Sequence, residues 1–261
     1  MRATPIAAVL FWLPAALAVA APKEVPPVST VTRSTFDSQD SVGSIVAASP
    51  SRARVFERFG IDYCCGGKRT LAEAAREKGI AVGELADALA AIDARAAGAP
   101  DPHDVGSLPP SLLADHLVGT HHVVLRTEMP RLSALLERVL AAHGENHPEY
   151  FALAEVWKGF VDEMYAHLVK EEMGLFPAVK REGSEVAEVR GAIDVLEREH
   201  DAAGAALVRM RSLTGGYAAP PDACNTLRAL LSGLAELERD IHQHVHEENN
   251  VLFPAVLARL G

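Results

Sequence analysis

The chain has 261 residues, of which 49% are hydrophobic, 23% charged and only 5% aromatic, the profile of a soluble, Ala- and Leu-rich protein with room for two domains. Its 25 Lys and Arg against 35 Asp and Glu leave a formal charge of −10, which repels nucleic acid and anionic lipid and offers no phosphate-binding footprint. Three cysteines cannot make a disulfide framework, so acidic helices that ligate cations suit this balance better.

Residues 1–35 form an extension with two readings. Residues 1–21, "MRATPIAAVLFWLPAALAVAA", carry one Arg, an apolar run and a small-residue ending, as a secretory signal cleaved near Ala20 would. The run is too short and too interrupted by proline for a membrane span. Alternatively, Lys23-Glu24-Val25 can be encoded by a purine-rich sequence resembling a ribosome-binding site, with a GTG start at Val28. The first reading implies a periplasmic protein. The second implies a cytoplasmic one, which suits free thiols and is the expected location.

Residues 36–97 read as a small helical domain. Val42 to Ala48 begins it, and in "SPSRARVFERFG" Ser49 can cap, Pro50 fits the first turn and Gly60 terminates. Cys64 and Cys65 stand side by side before Gly66 and Gly67, then Thr70 and Glu73 have capping-box spacing. "VGELADALAAID" closes a unit that buries little on its own and is expected to lean on a partner or on a second copy. Residues 98–109, within a stretch rich in Gly, Pro and Ala, read as a linker.

Residues 110–261 contain four segments of helical periodicity, about 110–143, 148–182, 185–214 and 221–260, separated by "GENHP", "EGS" and "GGYAAPP". Short connections between long amphipathic helices predict an all-α, up-down-up-down four-helix bundle. The second and fourth helices repeat one motif, H-x3-E-x3-LFPAV, at His167 and Glu171 and again at His244 and Glu248. Residues four apart share a helix face, so each copy projects an imidazole and a carboxylate together. The third helix offers one histidine, His200; the first offers His116, His121 and His122, among which periodicity does not choose. Any single one of the eleven histidines is more often an ordinary polar-face residue, but a duplicated motif in one apolar context is not, because unpartnered buried carboxylates are costly. Four His and two Glu fit two ions better than one, with bridging carboxylates, and suit iron or manganese. His103, His143 and His147 fall in linkers, and His242 and His246 are expected at the surface; Glu163 and Glu199 are candidates for outer-sphere partners or plain surface charge.

With "DYCCGGKRTLAEAA", "EREHDAAG", "HLVKEEMGLFP" and "HVHEENNVLFPAV" in place, the chain resembles the iron–sulfur cluster repair di-iron proteins, a hemerythrin-like family, over nearly all of residues 37–258. The resemblance implies a ligand set of His122, His167, His200, His244, Glu171 and Glu248, with both Glu bridging two irons. It also implies repair of iron–sulfur clusters damaged by nitric oxide or peroxide, in the bacterial cytoplasm, often by homodimers. Damaged iron–sulfur proteins would be its partners, and nucleic acid and membrane would not. The N-terminal extension departs from the family pattern. Cys64 and Cys65 are the candidate reactive residues: adjacent thiols pair poorly with each other but can serve one outside acceptor, the glycines permit close approach, and Lys68 and Arg69 would favour thiolate. The alternative function is a reversible oxygen or nitric oxide carrier or sensor using the same centre.

Overall fold

The structure, a computed structural model, describes residues 36–96, 105–181, 183 and 185–260. The N-terminal extension, most of the linker and His103 lie outside the described residues. The small helical region and the bundle belong to one compact unit.

In the small region, α1 (Val42–Ala48) starts where the Ser41 side chain accepts the Ser44 N–H, and a short 3-10 turn at Pro50–Arg52 leads into α2 (Ala53–Arg58). Pro50 occupies a first-turn position as expected, whereas Ser49 makes no side-chain cap and bonds Ser51 instead. A reciprocal capping box between Thr70 and Glu73 opens α3 (Leu71–Lys78), and Gly79, at φ +67°, supplies its left-handed ending. α4 (Val82–Ala96) completes the unit, held to the Pro50–Arg52 turn by the two-pronged Arg52–Asp93 pair at 2.9 Å. The partner this region leans on is the chain's own bundle, because Cys64 is buried within the bundle's core and Cys65 packs against it.

The bundle is built from helices longer than their labels suggest, since three of the four contain a π turn. α5 (Pro110–Leu117) runs through a π turn at Val118–His122 into α6 (Val123–His143). α7 (Glu149–Lys170) runs through one at Glu171–Leu175 into α8 (Phe176–Lys180). α9 (Val186–Leu213) is a single α-helix, and α10 (Asn225–Glu247) passes through a π turn at Glu248–Leu252 into α11 (Phe253–Leu260). No strand occurs among the described residues. α6 packs along α10 and α7 along α9. Gly233 permits the first approach: a Cβ there would meet Leu132 Cδ2 at 2.5 Å.

Two apolar clusters fill the bundle. One contains Leu132, Trp157, Phe160, Leu207 and Leu234; the other contains Leu117, Phe176, Ile193 and Phe253. The buried polar side chains His122, His167, Glu171, His200, His244 and Glu248 sit in the same interior, where His121, His246, Glu247 and Asn249 are buried as well. Burial of that many charges demands compensation.

Candidate metal centre

Each duplicated motif ends its α-helix at the glutamate and enters a π turn there. Such one-turn expansions recur at functional sites because they re-aim side chains without ending the helix. Pro177 and Pro254 then occupy the first turns of α8 and α11. The phenylalanine of each LFPAV lies against the histidine of a neighbouring helix: Phe176 stacks on His122 at 5.7 Å and Phe253 on His200 at 6.1 Å between ring centroids.

Glu171 Oε2 lies 3.3 Å from His122 Nε2, and its Oε1 lies 3.0 Å from His167 Nε2. Glu248 mirrors it, with His200 Nε2 at 3.1 Å from Oε2 and His244 Nε2 at 3.4 Å from Oε1. Two sets of donors result, His122–Glu171–His244–Glu248 and His167–Glu171–His200–Glu248, each with its ligand atoms within 4.8 Å of one another. The carboxylates are common to both sets. All four of their oxygens are buried and accept no hydrogen bond among the described residues. A pair of buried, unsatisfied carboxylates facing four imidazoles is unstable as a polar core but apt for cations, so the residues fit a dinuclear metal centre. Burial opposes charge on His167, yet Glu171 and its neighbours outweigh that and raise it to about 9. Burial likewise opposes charge on Glu248, but His244 and His200 hold its carboxyl well below the ordinary 4.5. A cation therefore competes with protons for these nitrogens.

Outer partners orient the imidazoles. Glu172 Oε1 lies 2.7 Å from His122 Nδ1 and is itself held by Arg126. Asn249 Oδ1 lies 2.9 Å from His200 Nδ1. Glu199 Oε2 lies 3.0 Å from His167 Nδ1 and also pairs with Lys170. Glu199 thus takes the outer-sphere place considered for it, while exposed Glu163 only borders a cavity of about 360 Å³ that reaches His167 and His200 between α7 and α9. Sequence reasoning missed Glu172 and Asn249 because each follows a glutamate by one position, which in an α-helix would rotate it off the face; the π turn brings it back.

His242 and His246 correct the expectation of exposure. His246 is buried and His242 half-buried, and both meet the Tyr63 ring edge-on, at 5.6 and 6.1 Å. Desolvation lowers each to about 4, so they are neutral seats for the cysteine turn. Asn250 Nδ2 donates to the carbonyls of Tyr63 at 3.2 Å and Cys64 at 3.1 Å. Gly67 and Gly43 leave room for it, since a Cβ at either would lie within 2.3 Å of Asn250 Oδ1. His143 is likewise no linker residue: it ends α6, 3.3 Å from Cys224 Sγ.

The thiols are free and 3.8 Å apart. Lys68 and Arg69 do not stabilise a thiolate, because Lys68 pairs with Glu197 and Arg69 with Glu77 and the Asp62 carbonyl. Asp62 accepts the backbone N–H groups of Cys64, Cys65 and Gly66, and its Oδ1 stands 3.2 Å from Cys64 Sγ. The bond to Cys65, then burial, then the Asp62 charge push the Cys64 thiol well above its ordinary value.

A four-helix bundle with a duplicated His–Glu centre is a hemerythrin-type cation-binding protein, and the description "Hemerythrin HHE cation binding domain" matches residues 113–256. Residues 38–93 match a "Domain of Unknown function (DUF542)". The "Iron-sulfur cluster repair protein YtfE" of Yersinia pseudotuberculosis serotype IB (strain PB1/+) is 35% identical over 221 residues, 83% of this chain and 96% of that protein. The proteins of the same name from Musicola paradisiaca (strain Ech703) and Escherichia coli O1:K1 / APEC are each 34% identical, covering 84% and 83% of this chain and 96% of each relative. The chain belongs to this hemerythrin-like family of iron–sulfur cluster repair proteins. No helix among the described residues is long and apolar enough to cross a membrane.

Proposed function

We propose that the bundle holds two iron ions and that the protein restores iron–sulfur clusters damaged by nitric oxide or peroxide, releasing iron to them as cargo. The observation that carries this reading is the pair of shared, buried carboxylates, Glu171 and Glu248, whose four oxygens have no hydrogen-bond partner among the described residues. His122 and His244 would serve one ion, His167 and His200 the other, with both carboxylates between them. Iron bound there supplies one-electron redox chemistry and an exchangeable store of metal. The chain's own residues do the rest. Glu171 and Glu248 neutralise the cations, and Glu172, Glu199 and Asn249 fix the imidazole orientations. The cavity beside His167 and His200, lined also by Phe160 and Met164, admits a small reactant. Cys64 and Cys65 assist from the turn seated on Asn250, with Cys65 the more accessible thiol.

The protein is proposed to act in the cytoplasm, from a start near Val28, as a homodimer whose partners are damaged iron–sulfur proteins. Metal analysis with iron transfer to an apo-cluster protein tests the central claim: two irons per chain and a rebuilt cluster are expected, whereas reversible gas binding without transfer would make the protein a carrier or sensor. Replacing Cys64 and Cys65 with Ser should keep iron content and weaken repair. Mass spectrometry of the native N-terminus decides the start; a mature chain beginning near Ala21 and recovered from the periplasm would overturn the cytoplasmic assignment.

A further inference from the structure

Of the three histidines on the first bundle segment, only His122 joins the dinuclear set. The other two turn toward α10 and meet there. His116 and His121 are five residues apart, which on a regular helix would separate them by about 140°. The π turn at Val118–His122 widens the coil between them and brings both onto one face. Facing them is Glu247, fully buried although it carries a charge. Gln243 Nε2 donates to Glu247 Oε1 at 2.9 Å. Glu247 Oε2 accepts no hydrogen bond among the described residues and points between His116 Nε2 at 3.4 Å and His121 Nε2 at 3.6 Å.

The remaining contacts hold the two imidazoles in place. Asp240 Oδ1 stands 2.9 Å from His121 Nδ1, so with that nitrogen donating to the carboxylate, Nε2 presents its lone pair toward Glu247. The His121 ring is fixed from its other side by stacking on His244, with centroids 5.4 Å apart and planes within 8°. His116 retains 26% of its side-chain exposure, which leaves one side of the cluster open to water. One donor atom from each of His116, His121 and Glu247 lies within 4.8 Å of the others.

We infer that His116, His121 and Glu247 form a third metal site, outside the dinuclear centre, that takes one divalent first-row transition cation with water completing its coordination. Two imidazoles and one carboxylate with open positions select zinc or cobalt over calcium or magnesium, which require mostly oxygen donors, and over ferrous iron, which stands lower in the first-row affinity order. No donor of this set belongs to the dinuclear set.

The test uses the full chain, anaerobically loaded with iron and then equilibrated with Co(II) as probe. One cobalt per chain beyond the iron is expected, with absorption lacking thiolate charge-transfer bands and an anomalous diffraction peak between His116, His121 and Glu247. His116→Ala and Glu247→Gln should each weaken cobalt binding about tenfold or more while the iron content and dinuclear absorption stay unchanged. His116 is partly exposed, so its variant keeps the test alive if burial makes Glu247→Gln fold poorly. Because the peak is read by position, cobalt in the dinuclear centre of an iron-poor preparation is counted separately. No bound cobalt beyond the dinuclear centre, cobalt with thiolate bands, or cobalt unaffected by His116→Ala would overturn the assignment and leave His121 as a protonated bridge between Asp240 and Glu247.

Discussion

The two copies of H-x3-E-x3-LFPAV place their glutamates, phenylalanines and π turns alike, yet they differ at the residues just after the glutamate. After Glu171 come Glu172 and Met173: the first reaches His122 and is tied to Arg126 near the surface, and the second is exposed. After Glu248 come Asn249 and Asn250: the first reaches His200 and extends toward the Cys64 carbonyl at 3.5 Å, and the second holds the carbonyls of Tyr63 and Cys64. The same backbone device therefore serves two ends. The first copy couples a buried imidazole of the candidate centre to a charged, solvent-facing network; the second couples one to the cysteine turn through neutral amides. Charge would be expensive at the second position, where burial holds His242 and His246 neutral, and asparagine satisfies both polar partners without it.

What the two copies share is tested by removing what they share. Glu171→Gln or Glu248→Gln should leave about one iron per chain and abolish magnetic coupling, because a lost bridging charge leaves two cations close together with less neutralisation. Iron stoichiometry with Mössbauer spectra reads this. Two coupled irons in either variant would mean that the carboxylates do not bridge.

Where the copies differ, smaller effects should separate them. Glu172→Ala and Asn249→Ala each leave an imidazole Nδ1 without its partner, for a roughly 10–100-fold loss of metal affinity. The Asn249 variant alone should also loosen the cysteine turn, seen as faster hydrogen exchange at residues 62–67. Equal exchange in both variants would erase the distinction drawn between the copies. Gly67→Ala attacks the turn directly: its Cβ would lie 2.3 Å from Asn250 Oδ1 and 2.8 Å from the Tyr63 carbonyl, so the turn must lift, at about 1–3 kcal/mol. Thermal unfolding should show that loss while iron content holds.

Much of this is legible in the amino-acid sequence. Glycine- and proline-bearing breaks marked four helices whose observed limits, such as Val186–Leu213, fall within a few residues of expectation. The duplicated motif pointed to paired His and Glu because four-residue spacing is robust in any α-helix. The π turns were not legible, since no local pattern distinguishes one from an α turn, and with them went the pairing of His116 with His121 and the roles of Glu172 and Asn249. The burial of His246 was missed for another reason. Helical periodicity places it off the ligand face, and only the docked Tyr63 ring, far away in sequence, turns that second face into an interior.

The gentlest probe of the docked turn is thiol chemistry. Cys64 retains only 6% of its surface and its thiol is raised well above 9.0, by its bond to Cys65 first, then by burial and the Asp62 carboxylate. Raised in the folded state, it stays protonated as pH climbs past the unfolded value; the stability tied to that proton is present below about 9 and is lost above it. Cys224 is the internal reference: exposed, capping α10 by accepting the Leu227 N–H and facing His143, it is lowered by those contacts. Reactivity follows thiolate and access together, so iodoacetamide near neutral pH should modify Cys224 first, half-buried Cys65 next and Cys64 last. Peptide mass spectrometry over a time course gives the order. Gly67→Ala should quicken Cys64 and leave Cys224 unchanged, because only the first is protected by the fit of Asn250 against the turn; Cys64 reacting as fast as Cys224 in the unaltered chain would show that the turn is not seated on the second repeat at all.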